Sequence, residues 1–207
     1  MSAAAIAADR WEALVDLSRT RVPLQAEELF GSSRPFEVEI GAGKGRFLVE
    51  WAALHPEIGL LGVERNRSYA CLAAARAVRR GLPNVRLVHT TAEDLLCRCL
   101  ARASVGAVHV YFPDPWPKRR HDKRRFFRAD TVARLAEVLQ PGGLLRVKTD
   151  HADYAAVVAS VLEGERRLVL GAVEQGFAGI PETSYELKYG REGRRFYRFV
   201  CYRRDDR

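Results

Sequence analysis

Short runs of apolar residues alternate along the chain with longer segments in which apolar residues recur at helical spacing. The short runs predict five strands: FEVEI (36–40), GLLGVE (59–64), NVRLVH (84–89), VGAVHVYF (105–112) and LLRVKTD (144–150). The longer segments predict helices over residues 47–55, 67–82, 92–103, 122–140 and 151–164, with Gly81 and Pro141-Gly142-Gly143 as helix ends. Repeated strand–helix units are typical of an α/β fold with a mostly parallel, doubly wound sheet.

The two ends of the chain depart from this alternation. Near the C-terminus, RRLVLGAV (166–173) and RRFYRFVCYRR (194–204) predict two strands that form an antiparallel pair at one edge of the sheet. At the N-terminus, residues 1–30 read as helical around Trp11, with a break at Gly31-Ser32-Ser33. The sequence therefore predicts an N-terminal helical extension over residues 1–33 and one α/β domain over residues 34–207.

Composition narrows the class of protein. Of 207 residues, 47% are hydrophobic and 29% are charged, as in ordinary globular proteins. No apolar run reaches the roughly 18 residues of a membrane helix, and the start, MSAAAIAADRWE, lacks the basic region of a signal peptide. The four cysteines form no C-x-x-C pair. We expect a cytoplasmic protein with reduced thiols, no metal and no membrane partner, as a monomer or homodimer.

Positive charge is concentrated in two segments. The formal net charge is +8, yet residues 117–128 alone carry +6 and residues 188–207 carry +5. Concentrated basic segments that also hold aromatic residues favour a nucleic-acid partner. The alternative is a solvated helix face, which explains most charge runs.

A glycine-rich turn follows the first predicted strand, in VEIGAGKGRF. Gly41, Gly43 and Gly45 allow a tight turn and a close approach of the backbone to a ligand. Glu64 ends the second strand 23 residues after Gly41, where an acidic residue accepts hydrogen bonds from ribose hydroxyls. Glu39 would repel a pyrophosphate but suits the cationic amino end of S-adenosylmethionine. The pattern favours a methyltransferase and leaves an NAD-dependent enzyme possible.

A third cofactor position is expected after the third strand, in HTTAEDLL. Thr91 and Ala92 fall where the adenine edge would lie, so a hydroxyl or a backbone amide would serve there. Glu93 and Asp94 have an alternative interpretation as first-turn helix residues that the helix dipole favours.

The segment FPDPWPK follows the fourth strand, at the sheet edge where open α/β sheets bind ligands. Three prolines fix φ and stiffen it, so Asp114 and Trp116 would be held in place. A planar base could stack on Trp116 at roughly 1–3 kcal/mol. The alternative is a buried turn around a core tryptophan.

Five motifs in this order resemble one family: VEIGAGKG, GVERN, YFPDPWPKRRHDKRRF, VKTDHADYA and ETSYELKYGREG. Together they are similar to the bacterial tRNA (guanine-N7)-methyltransferase family, over about residues 34–204. The segment FPDPWPKRRHDKRR is the most specific part of the resemblance, since many methyltransferases share the glycine motif.

The resemblance implies a class I Rossmann-like methyltransferase that uses S-adenosylmethionine to methylate N7 of the variable-loop guanine, position 46, of tRNA. By motif it implies a catalytic role for Asp114. The implied cofactor positions are Glu39, Gly41, Gly43, Glu64, Thr91, Ala92 and Asp114. The implied guanosine or tRNA contacts are Lys118, Asp150, Thr183, Ser184, Tyr185 and Glu186, and the implied RNA-contacting run is Arg120, His121, Asp122, Lys123, Arg124 and Arg125. Thr91 departs from members that carry an aspartate.

Three rival functions differ in class. An amino-methyltransferase acting on adenine or cytosine uses a related loop, but here the prolines are separated around Trp116. An NAD-dependent oxidoreductase is disfavoured by Glu39 and the basic segments. A non-catalytic RNA-binding domain is disfavoured by intact acidic residues at Glu39, Glu64 and Asp114.

Overall fold

The computed structural model describes residues 12–205 and divides into two units, Met1–Ala101 and Arg102–Arg207. Trp11, around which the N-terminal helix is predicted, lies outside the described residues. Leu14–Val15, within the same predicted helical segment, form a strand instead. The domain boundary between residues 33 and 34 stays a prediction.

The first unit holds parallel strands in the order β1–β4–β3–β2. These strands are β1 (Leu14–Val15), β2 (Phe36–Ile40), β3 (Gly59–Glu64) and β4 (Val85–His89). They alternate with helices α1 (Ala26–Phe30), α2 (Arg46–Leu54), α3 (Arg67–Arg79) and α4 (Ala92–Asp94). Every residue of β3 is buried, as expected for a central parallel strand. Because the strands are parallel, the loops that follow them share one carboxyl edge.

The helix predicted over residues 92–103 is shorter than expected. α4 continues as one π-helical turn, Leu95–Cys99, and the chain is extended at Leu100. The carbonyl oxygen of Cys99 accepts the N–H of Leu24 at 2.8 Å, so a tertiary bond uses an acceptor that a longer helix would need. All four cysteines are free thiols, as predicted.

The second unit holds strands in the order β5–β6–β8–β7. They are β5 (Val105–Tyr111), β6 (Leu139–Thr149), β7 (Leu168–Leu170) and β8 (Tyr197–Arg203). β5 and β6 are parallel, whereas β8 is antiparallel to both β6 and β7, which confirms the predicted antiparallel tail pair. The helices are α5 (Ala129–Val138), α6 (Ala152–Gly164), α7 (Val173–Gly176) and α8 (Ser184–Tyr189), with 3₁₀ turns at Arg119–Arg124 and Gly190–Glu192.

The helix predicted from Asp122 to Gln140 is wrong at both ends. Its start is a separate 3₁₀ turn, and α5 begins only at Ala129. Its end is already strand, because β6 begins at Leu139 and runs through Pro141. The pairing of β5 with β6 shifts register at this point, and a proline without an N–H is tolerated at such an irregularity.

Within residues 12–205, every helix is too short or too polar to cross a lipid bilayer.

Candidate functional site

The glycine loop, Gly41–Gly45, connects β2 to α2 at the carboxyl edge of the first unit. Its three glycines have φ values of +76°, +54° and +73°, a conformation that residues with a Cβ rarely adopt. The N–H of Gly43 donates to Oε2 of Glu64 at 2.9 Å, and the N–H of Asn66 donates to Oε1 at 2.7 Å. The Glu64 carboxylate therefore holds the glycine loop to the end of β3.

Glu64 keeps the capacity to bind a ligand in this arrangement. Each carboxylate oxygen has two lone pairs, and the backbone N–H groups use one on each oxygen. The residue is 8% exposed, so a polar ligand at this edge would meet a carboxylate whose orientation is already fixed. Two hydroxyls on neighbouring carbons, as in ribose, match the two remaining acceptor positions.

The other predicted cofactor positions of the first unit differ in exposure. Glu39 lies in β2, two residues before the glycine loop, and is 4% exposed. Thr91 is exposed and caps α4, because its Oγ1 accepts the N–H of Asp94 at 3.1 Å. The Thr91 hydroxyl hydrogen remains available as a donor. Ala92 starts the helix, and Asp94 lies in its first turn, as the alternative interpretation has it.

The proline loop, Phe112–Lys118, follows β5 in the second unit. Its two aromatic residues, Phe112 and Trp116, have φ values of +53° and +41°, which cost about 1–3 kcal/mol each. Tertiary contacts hold this conformation. The N–H of Phe112 donates to the carbonyl oxygen of Lys148 at 2.8 Å, and its ring stacks on Tyr185 with centroids 4.5 Å apart.

Arg125 fixes the other end of the proline loop. Its guanidinium donates to the carbonyl oxygens of Pro115 and Trp116, each at 3.0 Å, and pairs with Asp122 at 2.9 Å. The Arg125 side chain is only 15% exposed. The structure thus places Arg125 against the proline loop, and the RNA contact expected of it stays a prediction. Asp114, directly before the clamped carbonyls, is exposed.

The other cations of the predicted RNA-contacting run face solvent. The exposed residues of the run are Arg120, Lys123 and Arg124. Lys118, predicted as a guanosine or tRNA contact, is also exposed. The Arg124 guanidinium lies 5.0 Å from the Trp116 ring centroid, in a cation–π contact, and the His121 ring meets the same indole edge-on at 5.5 Å. A base could stack on that face of Trp116 only after Arg124 moves.

Asp150 follows β6 and belongs to a hydrogen-bonded cluster. Its Oδ2 accepts from the Tyr185 hydroxyl and from Arg194, both at 2.8 Å, and Arg194 also donates to the Tyr185 oxygen at 3.0 Å. Burial acts to raise the pKa of Asp150, but these two donors outweigh it and hold the pKa below its ordinary value. Burial and the Asp150 carboxylate together raise the pKa of Tyr185 to about 12. Asp150 is thus an ionised acceptor at neutral pH.

Thr183 and Glu186 form a capping box at the start of α8. The N–H of Glu186 donates to Thr183 Oγ1 at 3.1 Å, and the N–H of Thr183 donates to Glu186 Oε2 at 2.8 Å. Lys148 Nζ lies 2.8 Å from Oε1 of the same carboxylate, and the two side chains are 3% and 2% exposed. Burial lowers the pKa of Lys148, and Glu186 opposes that shift. Of this predicted tetrad, Ser184 is exposed, whereas Glu186 is engaged in a buried ion pair.

Sequence reasoning missed two residues of this unit, Lys148 and Arg194. Lys148 lies inside one family motif and Arg194 directly follows another. The predictions used other residues of those motifs, so neither Lys148 nor Arg194 gave a separate signal. It also missed α8, although Thr183-x-x-Glu186 has the spacing of a capping box that announces a helix. Within residues 12–205, no group of three or more histidine, cysteine or acidic side chains is arranged to hold a metal ion.

Comparison with known proteins places the chain in a family. A family model described as "Putative methyltransferase" matches residues 33–199. A tRNA (guanine-N(7)-)-methyltransferase of Mycobacterium avium (strain 104) is 38% identical over 192 residues, which cover 91% of this chain and 74% of the relative. The chain belongs to the tRNA (guanine-N(7)-)-methyltransferase family. A member of this family from Geobacillus thermodenitrificans (strain NG80-2) is 37% identical, over 83% of this chain and 81% of the relative. The predicted resemblance is confirmed.

Solved structures confirm the predicted fold class. The 16S rRNA methyltransferase KamB aligns with a TM-score of 0.61 at 19% identity, over 86% of this chain and 92% of that one. A mutant 16S rRNA (adenine(1408)-N(1))-methyltransferase of Catenulisporales acidiphilia, solved with cosubstrate SAM, aligns at 0.57 and 18% identity, over 86% of this chain and 89% of that one. At these identities the likeness concerns the class I methyltransferase fold alone.

Proposed function

We propose that this protein transfers a methyl group from S-adenosylmethionine to N7 of the variable-loop guanine, position 46, of tRNA, in the cytoplasm. The observation that carries the proposal is the match to relatives named tRNA (guanine-N(7)-)-methyltransferase over 91% of the chain. The local geometry is consistent with that chemistry. A glycine loop braced by a carboxylate lies in one unit, and an exposed Asp114 beside a basic run lies in the other.

The first unit supplies residues that suit the cofactor. Glu64 would accept the ribose hydroxyls with its remaining lone pairs, and the glycine loop would let the backbone approach the methionine moiety. Glu39 would accept from the cationic amino group, and the Thr91–Ala92 position would meet the adenine edge. S-adenosylmethionine supplies an electrophilic methyl group on a sulfonium. The residues need only bind and orient it, because the chemistry is that of the cofactor.

The second unit supplies residues that suit the guanine. N7 has a free lone pair, so no proton needs to leave it before attack, and alignment of the reacting atoms can lower much of the barrier. Methylation makes the base cationic, and the Asp114 carboxylate would stabilise the developing charge. Asp150, ionised at neutral pH, would accept from the N1–H and N2–H₂ edge. Thr183 and Glu186 would act by positioning α8, which carries Ser184 and Tyr185.

The basic run would bind the RNA backbone. The exposed Lys118, Arg120, Lys123 and Arg124 would contact phosphates, with His121 and Asp122 beside them. Arg125, the last member of the run, would also hold the proline loop in place. Phosphate contacts of this kind make affinity fall steeply as salt rises.

The decisive experiment incubates the purified protein with S-adenosylmethionine and unmodified tRNA, followed by nucleoside mass spectrometry. We expect 7-methylguanosine that maps to the variable loop. The Asp114→Asn variant should lower turnover about 100-fold or more with little change in tRNA affinity. Asp153→Asn, a matched change at an exposed carboxylate in α6, should leave turnover near wild type.

Two outcomes would contradict the proposal. A methylated adenine or cytosine would keep the fold and cofactor but assign the chain to another substrate. Absence of any product, with S-adenosylhomocysteine and tRNA both bound, would favour a non-catalytic RNA-binding domain. Cofactor binding is tested separately by titrating S-adenosylhomocysteine into wild type and Glu64→Ala.

A further inference from the structure

A third basic segment lies in the first unit, apart from residues 117–128 and 188–207. Residues 65–92 contain six arginines and neither aspartate nor glutamate. The segment starts directly after β3, includes α3 and β4, and ends at the start of α4. Arginines can serve structural roles as well as bind a partner, so the contacts of each arginine in this segment decide between the two.

Four of the six arginines have such a structural role. Arg86 donates to two neighbouring main-chain carbonyl oxygens. Arg80 pairs with Glu50 of α2 at 3.0 Å. Arg76 and Arg79 lie in the last turn of α3, where the helix dipole stabilises cations. Contacts within the chain thus explain Arg80 and Arg86, and the helix dipole favours Arg76 and Arg79.

Arg65 and Arg67 lie next to each other on the surface, at the start of α3. Arg65 and Arg67 are both exposed, and Tyr69, in the same turn of chain, is 41% exposed. Lys44 of the glycine loop lies 5.5 Å from the Tyr69 ring centroid. We name Lys44, Arg65, Arg67 and Tyr69 the α3 face. It combines three cations with an accessible aromatic ring.

Two carboxylates near the α3 face, Glu64 and Asp16, accept hydrogen bonds from their own unit. Glu64 is 8% exposed, and both of its oxygens accept backbone N–H groups. Arg67 and His89 line an open cleft of about 440 Å³ that also includes Leu14–Ser18. The carboxylate in that cleft, Asp16, accepts from the N–H and hydroxyl of Ser18 at 3.0 and 2.7 Å. Glu64 and Asp16 keep their negative charges, and the three cations Lys44, Arg65 and Arg67 outnumber them, so the face has an excess of positive charge.

We propose that the α3 face is a second RNA-binding surface, on the unit that carries the cofactor-binding residues. This inference rests on the proposed function, which makes tRNA the substrate. Lys44, Arg65 and Arg67 would bind backbone phosphates, and a base would stack on Tyr69. A second copy of this chain fits less well, because a symmetric contact through this face would bring its own cations together.

The experiment measures tRNA affinity of the full chain by fluorescence anisotropy across a salt series from about 50 to 200 mM. Two lost phosphate contacts lower the slope of log Kd against log salt by about 1.5, since each contributes roughly 0.7–0.9. We expect that change for Lys44→Ala with Arg67→Ala, together with a roughly 10- to 40-fold loss of affinity near 0.1 M salt. Arg79→Ala, a matched change at the other end of α3, should leave the slope unchanged.

Two further variants separate the phosphate contacts from base stacking. Arg67→Ala alone avoids the glycine loop and should lower the slope by about 0.7–0.9. Tyr69→Ala should weaken binding about fivefold or more without changing the slope, because stacking releases no counterions. An unchanged slope in Arg67→Ala and in the double variant would overturn the proposal. Concentration-dependent dimers in analytical ultracentrifugation that Tyr69→Ala abolishes would also overturn it, in favour of a second copy.

The outcome is separable from that of the proposed function. If wild type forms 7-methylguanosine while the salt slopes of the variants stay unchanged, the α3 face is not an RNA-binding surface and the enzyme assignment stands. If no methylated product forms while the slopes change as expected, the α3 face stands as an RNA-binding surface and the enzyme assignment fails.

Discussion

The buried ion pair between Lys148 and Glu186 allows a quantitative prediction. Both Lys148→Met and Glu186→Gln keep the side-chain volume and remove one charge. Each leaves its partner charged in a site that is 2–3% exposed. A double variant removes both charges, and the glutamine amide oxygen of Glu186→Gln could still accept the N–H of Thr183. The pair therefore suits a double-mutant cycle.

The magnitude follows from burial. Breaking a buried ion pair from one side costs about 3–5 kcal/mol, because an uncompensated charge remains. In each single variant a neighbouring group partly stabilises the charge that remains, which limits the loss of unfolding free energy. After Lys148→Met, Arg198, now 3.9 Å from Oε1, could approach Glu186. After Glu186→Gln, the Lys148 ammonium still lies 4.6 Å from the Tyr111 ring centroid. We expect each single variant to lower the free energy of unfolding by about 3 kcal/mol, and the double variant by no more than either.

The assay is urea unfolding followed by circular dichroism near neutral pH, with the slope m compared among all four proteins. An interaction energy of about 3 kcal/mol between the two sites is expected. Single-variant losses below about 1 kcal/mol, or a double-variant loss equal to the sum of the singles, would refute the reasoning. Either result would mean that water or other groups compensate the charges in solution.

Three further predictions concern other contacts. Asp150→Asn should lower the pKa of Tyr185 from about 12 toward its ordinary value near 10, as measured by tyrosinate absorbance in an alkaline titration. Because the folded-state pKa is raised, the stability that Tyr185 contributes is present below about pH 10 and is lost as the pH rises through about 12, and Asp150→Asn should remove part of that dependence. Arg125→Ala should lower the free energy of unfolding by about 1–3 kcal/mol and make the proline loop more sensitive to limited proteolysis. An unchanged cleavage rate would show that the prolines alone hold the loop. A thiol reagent should label the exposed Cys97 in the native state, but Cys201, whose pKa burial raises to about 12, only after unfolding; fast labelling of Cys201 would contradict its burial.

The parts of the fold that follow local patterns could be predicted from the sequence. β2, β3 and the glycine loop match their predicted places because apolar runs and glycines act within a few residues. The errors arise where distant residues decide the outcome. The predicted helix through Gln140 ends early because residues of the β5 strand pair with this segment, and a helix-like pattern gives no sign of that partner.

The candidate site shows the same division. The spacing of Glu64 from the glycines and the family motif around Asp114 led to their predicted roles, and each residue ends or follows a parallel strand at its carboxyl end. Arg125 illustrates the limit, because a cation in a basic run looks alike whether it faces RNA or clamps a carbonyl. Glu186 is similar, since only the fold brings it against Lys148, 38 residues away.

The position of Glu64 bears on how the cofactor preference of this protein could be altered. One carboxylate anchors the amides of Gly43 and Asn66 and is also the proposed acceptor for the sugar of the cofactor. An engineer who exchanges Glu64 to admit a modified nucleoside would release the glycine loop at the same time, so the redesign must supply a new anchor. Thr91 caps α4 and does not hold the glycine loop. Variants with an altered base preference can therefore be selected at Thr91 without a new anchor for that loop.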